Sequence, residues 1–153
     1  LLSFRDRAGD LRGVVGLRGA APQPLYLEQY LEKPVEAAIA AATGHPVRRE
    51  QVVEVGNLAG ANCRAAMRMV ALLPGYLLSR DYRWIVFTAT STVRGILEGF
   101  GAPLVELARA DGARVASSPD RWGRYYEQDP RVLAGFLPAS RRIPGFSGAW
   151  RDR

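Results

Sequence analysis

Hydrophobic and polar positions along the chain indicate an alternation of strands and helices. Residues 11–18 are rich in leucine and valine and follow the turn-forming run 6–10, so the chain should open with a hairpin. Residues 25–30 alternate weakly, which predicts a short strand. Pro34 suits a first helical turn and Gly44 a stop, so a helix is predicted from Pro34 to Thr43.

The middle of the chain predicts a strand, a glycine-containing turn and a helix. Gln51–Leu58 has the valine content of a strand, and Asn62 can cap a helix that begins at Cys63. We expect this helix to reach Leu73 and to break or kink at Pro74-Gly75, with a last turn at residues 76–79.

A second strand is apolar on both faces. Trp84–Thr90 therefore reads as a central strand covered by helices on both sides. A short helix follows, capped by Ser91 or Thr92 and ending near Phe100, and then a strand over 103–108. This succession predicts an α/β sheet with some parallel pairing.

Beyond Asp111 the pattern weakens. Trp122, Tyr125 and Tyr126 must pack somewhere, because large aromatic side chains are costly to expose together. From Ser140 onward the chain is basic and we expect a loose tail. The sequence thus predicts a single domain over residues 1–139 with a tail over 140–153.

Length and composition narrow the function classes. The 153 residues suffice for one domain, and no apolar run reaches the roughly 20 residues that span a bilayer. One cysteine and one histidine exclude an internal disulfide and a Cys/His metal cluster, so no metal and a cytoplasmic location are expected. The net charge of +6 comes from twenty arginines and one lysine, which favours anionic partners. The arginines are dispersed without a nucleic-acid-binding motif, so nucleic acid is not expected.

The turn from Gly60 into the following helix is a candidate anion site. Backbone N–H groups and the positive helix terminus suit a pyrophosphate, Gly60 and Ala61 would let it approach, and Arg64 or Arg68 could add charge. An ordinary capped turn explains the same residues.

Glu54 lies in the middle of a strand that otherwise reads as buried. Burial of a lone carboxylate is costly and raises its pKa, which suits a general base. The alternative is pairing with an arginine, for which Arg18 is the best candidate.

Three other candidates have simpler explanations. Cys63 at a helix N-terminus could be a nucleophile, but a small, buried and inert side chain is the expectation. His45 follows a helix in a turn, so no catalytic role is expected for it. Thr88, Thr90, Ser91 and Thr92 lie where open α/β sheets place ligands, although helix capping explains at least one of them.

Five segments together resemble the thermostable hemolysin family. The match runs from about residue 13 to 135, and its specific parts are the Leu-Glu-Gln-Tyr-Leu and Glu-Val-Gly-Asn-Leu-Ala blocks. The segments are 16–18, 25–31, 53–59, 87–90 and 122–126.

The resemblance implies a fold and a cleft. The family is similar to acyl-homoserine-lactone synthases and looks like a member of the N-acetyltransferase-like α/β fold, with a mixed central sheet flanked by helices. Typical members begin with a strand and two helices that do not precede Leu1 here, so these elements are expected to be missing. The resemblance implies an acyl thioester in a cleft between splayed strands, with no metal.

Roles for individual residues follow from this resemblance. Glu54 and Asn57 would be catalytic, and Arg18 and Glu28 would bind the acceptor. The synthases carry an arginine where this chain has Asn57, which argues against homoserine-lactone chemistry and S-adenosylmethionine binding. The donor itself would lie against backbone or side chains of Leu58, Ala59, Gly60, Ala61, Asn62, Cys63, Arg64, Thr88 and Thr90.

The resemblance therefore implies a bacterial acyltransferase, and the single cysteine favours a cytoplasmic location. It would bind acyl-CoA, or the phosphopantetheine of an acidic acyl carrier protein, and transfer the acyl group to an amine, for example an amino acid. The alternatives are a membrane-active hemolysin and a module that binds the acyl thioester without turnover. The oligomeric state is left open.

Overall fold

The computed structural model describes residues 1–99, 101–115 and 123–137, and the backbone of 149–152. The strands in these ranges are β1 (Leu2–Arg5), β2 (Leu11–Gly19), β3 (Val52–Gly60), β4 (Trp84–Ala89), β5 (Leu104–Arg109), β6 (Arg131–Phe136) and β7 (Ala149–Asp152). The helices are α1 (Val35–Thr43), α2 (Cys63–Ser79) and α3 (Ser91–Gly99).

The strands form one mixed sheet in the order β5-β6-β4-β3-β2-β1-β7. Only β3 and β4 pair in parallel, and every other neighbouring pair is antiparallel. The parallel pair is joined through α2, as a parallel connection requires a crossover. The predicted α/β sheet with some parallel pairing is confirmed.

Two hydrophobic clusters sandwich this sheet. Alternation along β3 sends Val52 into a cluster with Ile39 of α1, and Val53 into a cluster with Met69 of α2. All four side chains are fully buried, and burial of each contributes about 1.5–3 kcal/mol. Helices therefore cover both faces, as the apolar pattern of β4 predicts.

Two predicted elements are wrong. Residues 26–30 form a short 3-10 helix, Tyr26–Tyr30, instead of a strand. Helix α2 runs from Cys63 to Ser79 through Pro74, so the predicted break is wrong, while a kink at Pro74 stays a prediction. Proline removes one backbone hydrogen bond, but Leu73 and Leu77 on either side of it are both buried, and their packing holds the helix together.

The C-terminal third holds a strand that the sequence analysis missed. Strand β6 inserts between β4 and β5 and pairs with both. Tyr125 and Tyr126 pack as expected, whereas Trp122 and Phe100 lie outside the described residues. The expected loose tail also lies partly outside them, but within it the backbone of Ala149–Asp152 forms β7 on β1. The domain boundary at residue 139 stays a prediction.

Among the helices in the described ranges, none has the length and apolarity needed to cross a membrane.

Candidate functional site

A cleft opens where β3 and β4 cease to pair. Their parallel ladder joins Val52 to Trp84 and ends at Glu54 and Val86, although both strands continue. The cleft has a volume of about 550 Å³ and its walls come from β2, β3, β4 and three tyrosines. The lining residues are Gly16, Leu17, Arg18, Tyr26, Tyr30, Glu54, Val55, Gly56, Asn57, Thr88 and Tyr125.

Most of these residues share one face of the sheet. Glu54 and Gly56 lie two and four positions after Val52, and Thr88 lies two after Val86. Because strand side chains alternate, all of them face the side on which Val52 and Val86 join the α1 cluster. The cleft is thus the outward continuation of that core.

Strand β3 contains a bulge at the cleft. Gly56 pairs with Gly16 and Ala59 with Val14, so Asn57 and Leu58 together oppose a single residue of β2. Asn57 has a φ of 51°, in the left-handed region that asparagine tolerates better than most residues. A bulge takes backbone groups out of the regular ladder, so it can present N–H groups to a ligand.

Glu54 is held at the floor of the cleft. Its Oε2 accepts from Tyr26 N–H at 2.8 Å and its Oε1 from Leu27 N–H at 3.0 Å. Arg18 lies directly opposite on β2. Burial raises the pKa of Glu54 above its ordinary value, against the opposing effects of the two N–H groups and of Arg18. A carboxylate has about four lone-pair sites, so Glu54 keeps acceptor capacity for a water or an amine.

Tyrosines form the wall above Glu54. Tyr30 and Tyr126 share a hydrogen bond between their hydroxyls at 2.9 Å, and the Tyr125 ring packs edge-on against Tyr126. Burial raises the pKa of Tyr125 to about 12, and burial together with the Tyr126 hydroxyl raises that of Tyr30 further. The Tyr125 hydroxyl is therefore a neutral proton donor at physiological pH. The sequence analysis expected these aromatics to pack but did not assign them to the site.

Glu28 lies outside the cleft lining and is occupied by other partners. Its carboxylate accepts from Arg49 Nη1 at 2.7 Å and Nη2 at 2.8 Å, from Leu25 N–H at 2.7 Å and from Val35 N–H at 2.8 Å. These contacts tie the start of α1 to the 3-10 helix that carries two of the tyrosines. The predicted role of Glu28 in acceptor binding stays a prediction. Its contacts show that it holds the 3-10 helix and the start of α1 in place.

The turn after β3 is capped as expected, but Gly60 and Ala61 contact other parts of the protein. Asn62 Oδ1 accepts from Ala65 N–H at 2.9 Å, which confirms the cap. Ala61 N–H donates to the Arg12 carbonyl at 2.8 Å, so it is already used. A Cβ on Gly60 would lie 2.6 Å from the backbone nitrogen of Ala66. The missing side chain of Gly60 thus allows close packing of the strand against the helix, and its role in the approach of a ligand stays a prediction.

The rest of the predicted donor site lies beyond the cleft lining. Residues 58–64 are exposed, Cys63 among them, so the expectation that Cys63 is buried is wrong. The carbonyl of Thr90 accepts from Arg94 N–H in the first turn of α3, and the expected caps Ser91 and Thr92 are the first two residues of that helix. Of the predicted residues, the structure brings together Arg18, Glu54, Asn57 and Thr88 in the cleft. In the described ranges, no three potential metal ligands cluster.

The sequence model of the thermostable hemolysin family matches residues 1–141. The chain belongs to this family. None of the functionally curated proteins matches this hemolysin-family sequence.

Solved acyltransferase structures share the fold of this family member. The CoA-dependent acyl-homoserine lactone synthase MesI is 16% identical, with a TM-score of 0.56 over 90% of this chain and 63% of MesI. BjaI, another such synthase, solved with SAM and isopentyl-CoA, is 10% identical, with a TM-score of 0.59 over 90% of this chain and 58% of BjaI. FeeM, an N-acyl amino acid synthase from uncultured soil microbes, is 13% identical, with a TM-score of 0.55 over 90% of this chain and 72% of FeeM.

These likenesses establish the fold of the hemolysin-family chain. It is the N-acetyltransferase-like fold that the resemblance implies, with a mixed sheet between helices. The chain spans less than two thirds of the length of the two lactone synthases.

Proposed function

We propose that this chain binds an acyl thioester in the cleft and transfers the acyl group to an amine. The observation that carries the proposal is the divergence of β3 and β4 directly after Glu54, with a bulge at Asn57 on the same strand. Glu54 and Asn57 both line the cleft of about 550 Å³, and in this proposal Glu54 is the base and the N–H groups of the bulge are the hydrogen-bond donors.

The proposed reaction uses both ends of residues 54–59 of β3: the carboxylate of Glu54 and the N–H groups of the bulge. N–H groups of the bulge, near Leu58 and Ala59, hydrogen-bond the thioester carbonyl oxygen and stabilise the negative charge that develops there. The amine nitrogen attacks the carbonyl carbon, and Glu54, directly or through one water, takes the proton that the amine loses. The C–S bond breaks, and the leaving thiolate takes a proton from Tyr125. An amide and a free thiol are the products, and exchange with solvent then removes the proton from Glu54 and returns one to Tyr125.

The positive charges of the chain favour an anionic acceptor and an anionic donor. Arg18, an exposed side chain that lines the cleft, suits an anionic acceptor such as the carboxylate of an amino acid, and the Asn57 carboxamide, next to Gly16, adds a hydrogen-bonding group. The donor is acyl-CoA or the phosphopantetheine of an acyl carrier protein. The net charge of +6 favours encounter with either anion. BjaI with isopentyl-CoA and the N-acyl amino acid synthase FeeM are consistent with this pair of substrates.

The predicted phosphate site at Gly60 to Arg64 remains part of the proposal in altered form. The first N–H groups of an α-helix have no acceptor within the helix, and Cys63 and Arg64 occupy that position on α2. The pyrophosphate or phosphopantetheine would meet these groups and the exposed Arg64 side chain, with Gly60 and Ala61 serving the turn itself.

The test combines binding and turnover. The protein is incubated with CoA and carrier-protein thioesters of several chain lengths plus amino acids, and thermal shift, thiol release and product mass are measured. Glu54→Gln should keep the thermal shift and lose at least about 100-fold in thiol release. Glu50→Gln, an exposed carboxylate on the turn before β3, is the matched control and should behave as the wild type.

Each outcome separates one function from another. A wild type that no thioester and no CoA stabilises refutes the thioester cleft. Stabilisation without thiol release identifies a binding module. Liposome leakage that is equally strong for wild type and Glu54→Gln, without any binding of thioesters, identifies membrane lysis.

A further inference from the structure

The floor of the cleft has a place without a side chain. Gly56 and Gly16 face each other across β2 and β3, next to the Glu54 and Arg18 pair. Directly opposed residues of an antiparallel ladder project to the same face, so this bare pair continues the face that carries Glu54. A charged pair is thus followed along the strands by a pair of glycines.

The two glycines have different surroundings. A Cβ on Gly16 would lie 3.1 Å from the Gly56 carbonyl oxygen and 3.6 Å from Asn57 Nδ2, so Gly16 makes room for the bulge and its carboxamide. A Cβ on Gly56 would meet nothing within 4 Å, although Gly56 is partly buried and lines the cleft. The φ of Gly56 is not in the left-handed region, so no backbone strain calls for glycine there.

Gly56 lies between the proposed base and the proposed N–H donors. Glu54 lies two residues before it, about 7 Å away along the strand. The bulge residue Leu58 lies two residues after it, on the other side of the left-handed Asn57. In the acyl transfer proposed above, the carbonyl carbon must lie between the base and the N–H donors. Gly56 is the midpoint of that segment.

We propose that Gly56 is the specificity-determining position of the cleft: its missing side chain leaves room for a substituent on the acyl carbon next to the thioester carbonyl. This inference rests on the proposed acyl transfer. The substrate class is therefore acyl thioesters that include those branched at this carbon.

Two isomeric donors test the inference. Butyryl and isobutyryl thioesters contain the same atoms and differ only in branching next to the carbonyl, and both are offered on the carrier that the wild type uses. Wild type should use them with kcat/KM values within about tenfold of each other. Gly56→Ala should lower kcat/KM for isobutyryl at least about tenfold more than for butyryl, since one methylene group in a hydrophobic pocket is worth about 10–200-fold. Free CoA, which has no acyl group, should give the same thermal shift with both proteins.

A matched control excludes a general effect of adding a methyl group. Gly75 lies on α2, and a Cβ there also meets nothing within 4 Å. Gly75→Ala should leave the ratio of the two donors unchanged.

The outcomes distinguish this inference from the function on which it rests. An unchanged donor ratio in a folded, active Gly56→Ala overturns the role of Gly56 and leaves acyl transfer standing. If Gly56→Ala does not fold, wild type alone decides: rejection of isobutyryl by more than about 100-fold overturns the inference, and use of both donors supports it. A wild type that neither binds nor turns over any thioester refutes the acyl transfer itself.

Discussion

Removal of the Glu28 charge should weaken the fold and change its response to acid. Glu28 is an acceptor for two backbone N–H groups and for both Nη atoms of Arg49, which also contacts Glu36 at 2.7 Å. Glu28→Gln keeps an acceptor oxygen for one of the two backbone N–H groups and removes the ion pair with Arg49. The amide thus resembles the protonated acid, and the substitution removes the charge together with one backbone contact.

The pKa of Glu28 supplies the magnitude. Burial alone would raise it, but the Arg49 hydrogen bonds and the N–H groups of Val35 and Leu25 outweigh burial and lower it from 4.5 to about 2. This difference corresponds to at most about 3 kcal/mol, and to about 2 kcal/mol once solvent screening is allowed for. Because the folded-state pKa is lowered, this stability is fully present above pH 4.5 and is lost as the pH falls toward 2. Against a typical total of about 5–15 kcal/mol, it is a large share.

Urea unfolding at a series of pH values measures the effect. Glu28→Gln should unfold with about 2 kcal/mol less free energy than the wild type at pH 7, and the two should converge toward pH 2. Exposed Glu50→Gln serves as the control and should stay near the wild type throughout. Equal stability of Glu28→Gln and wild type at pH 7 would refute the reasoning. So would a loss of stability between pH 5 and 2 that is as large in Glu28→Gln as in the wild type.

Three further predictions concern the cleft and its supporting turn. The rate of thiol release should fall on acidification through a pKa above 4.5, because burial raises the pKa of Glu54 and the base must be ionised; a pH–rate profile checks this. Tyr125→Phe should lower thiol release at least about 100-fold with the CoA thermal shift intact, and an unchanged rate would remove Tyr125 from the reaction. Gly60→Ala should destabilise the protein by about 1–3 kcal/mol in urea unfolding, because its Cβ would clash with Ala66, whereas Gly75→Ala should not.

Local patterns in the sequence were enough for the βαβ unit that carries the site. Valines on both sides of Glu54 indicated a strand, Asn62 indicated the cap of α2, and the arginine suggested as a partner for Glu54 does lie opposite it on β2. These features depend on residues close together in the chain, or on one cross-strand pair.

Long-range contacts determine the features that the sequence pattern did not predict, namely the 3-10 helix at residues 26–30 and the place of Tyr125 in the cleft. Residues 26–30 look like a weak strand, but Glu54 accepts two of their N–H groups from a strand that is 27 and 28 residues away, and the segment folds as a 3-10 helix around that carboxylate. Tyr125 reaches the cleft only because β6 inserts between β4 and β5. The spacing of hydrophobic residues does not encode the order of strands in a sheet.

Glu54 has two functions that compete, and this decides which substitution is informative. Its carboxylate organises the 3-10 helix through two N–H groups, while its burial raises its pKa and costs stability at neutral pH. Glu54→Gln keeps an acceptor oxygen for one of the two N–H groups and removes the buried charge, so it should lose turnover and less stability than the loss of both contacts costs. Glu54→Ala leaves both N–H groups without this acceptor and should also lose about 1–3 kcal/mol in urea unfolding. If Glu54→Gln is destabilised as much as Glu54→Ala, the charge itself supports the fold, and loss of activity in either variant no longer identifies a base.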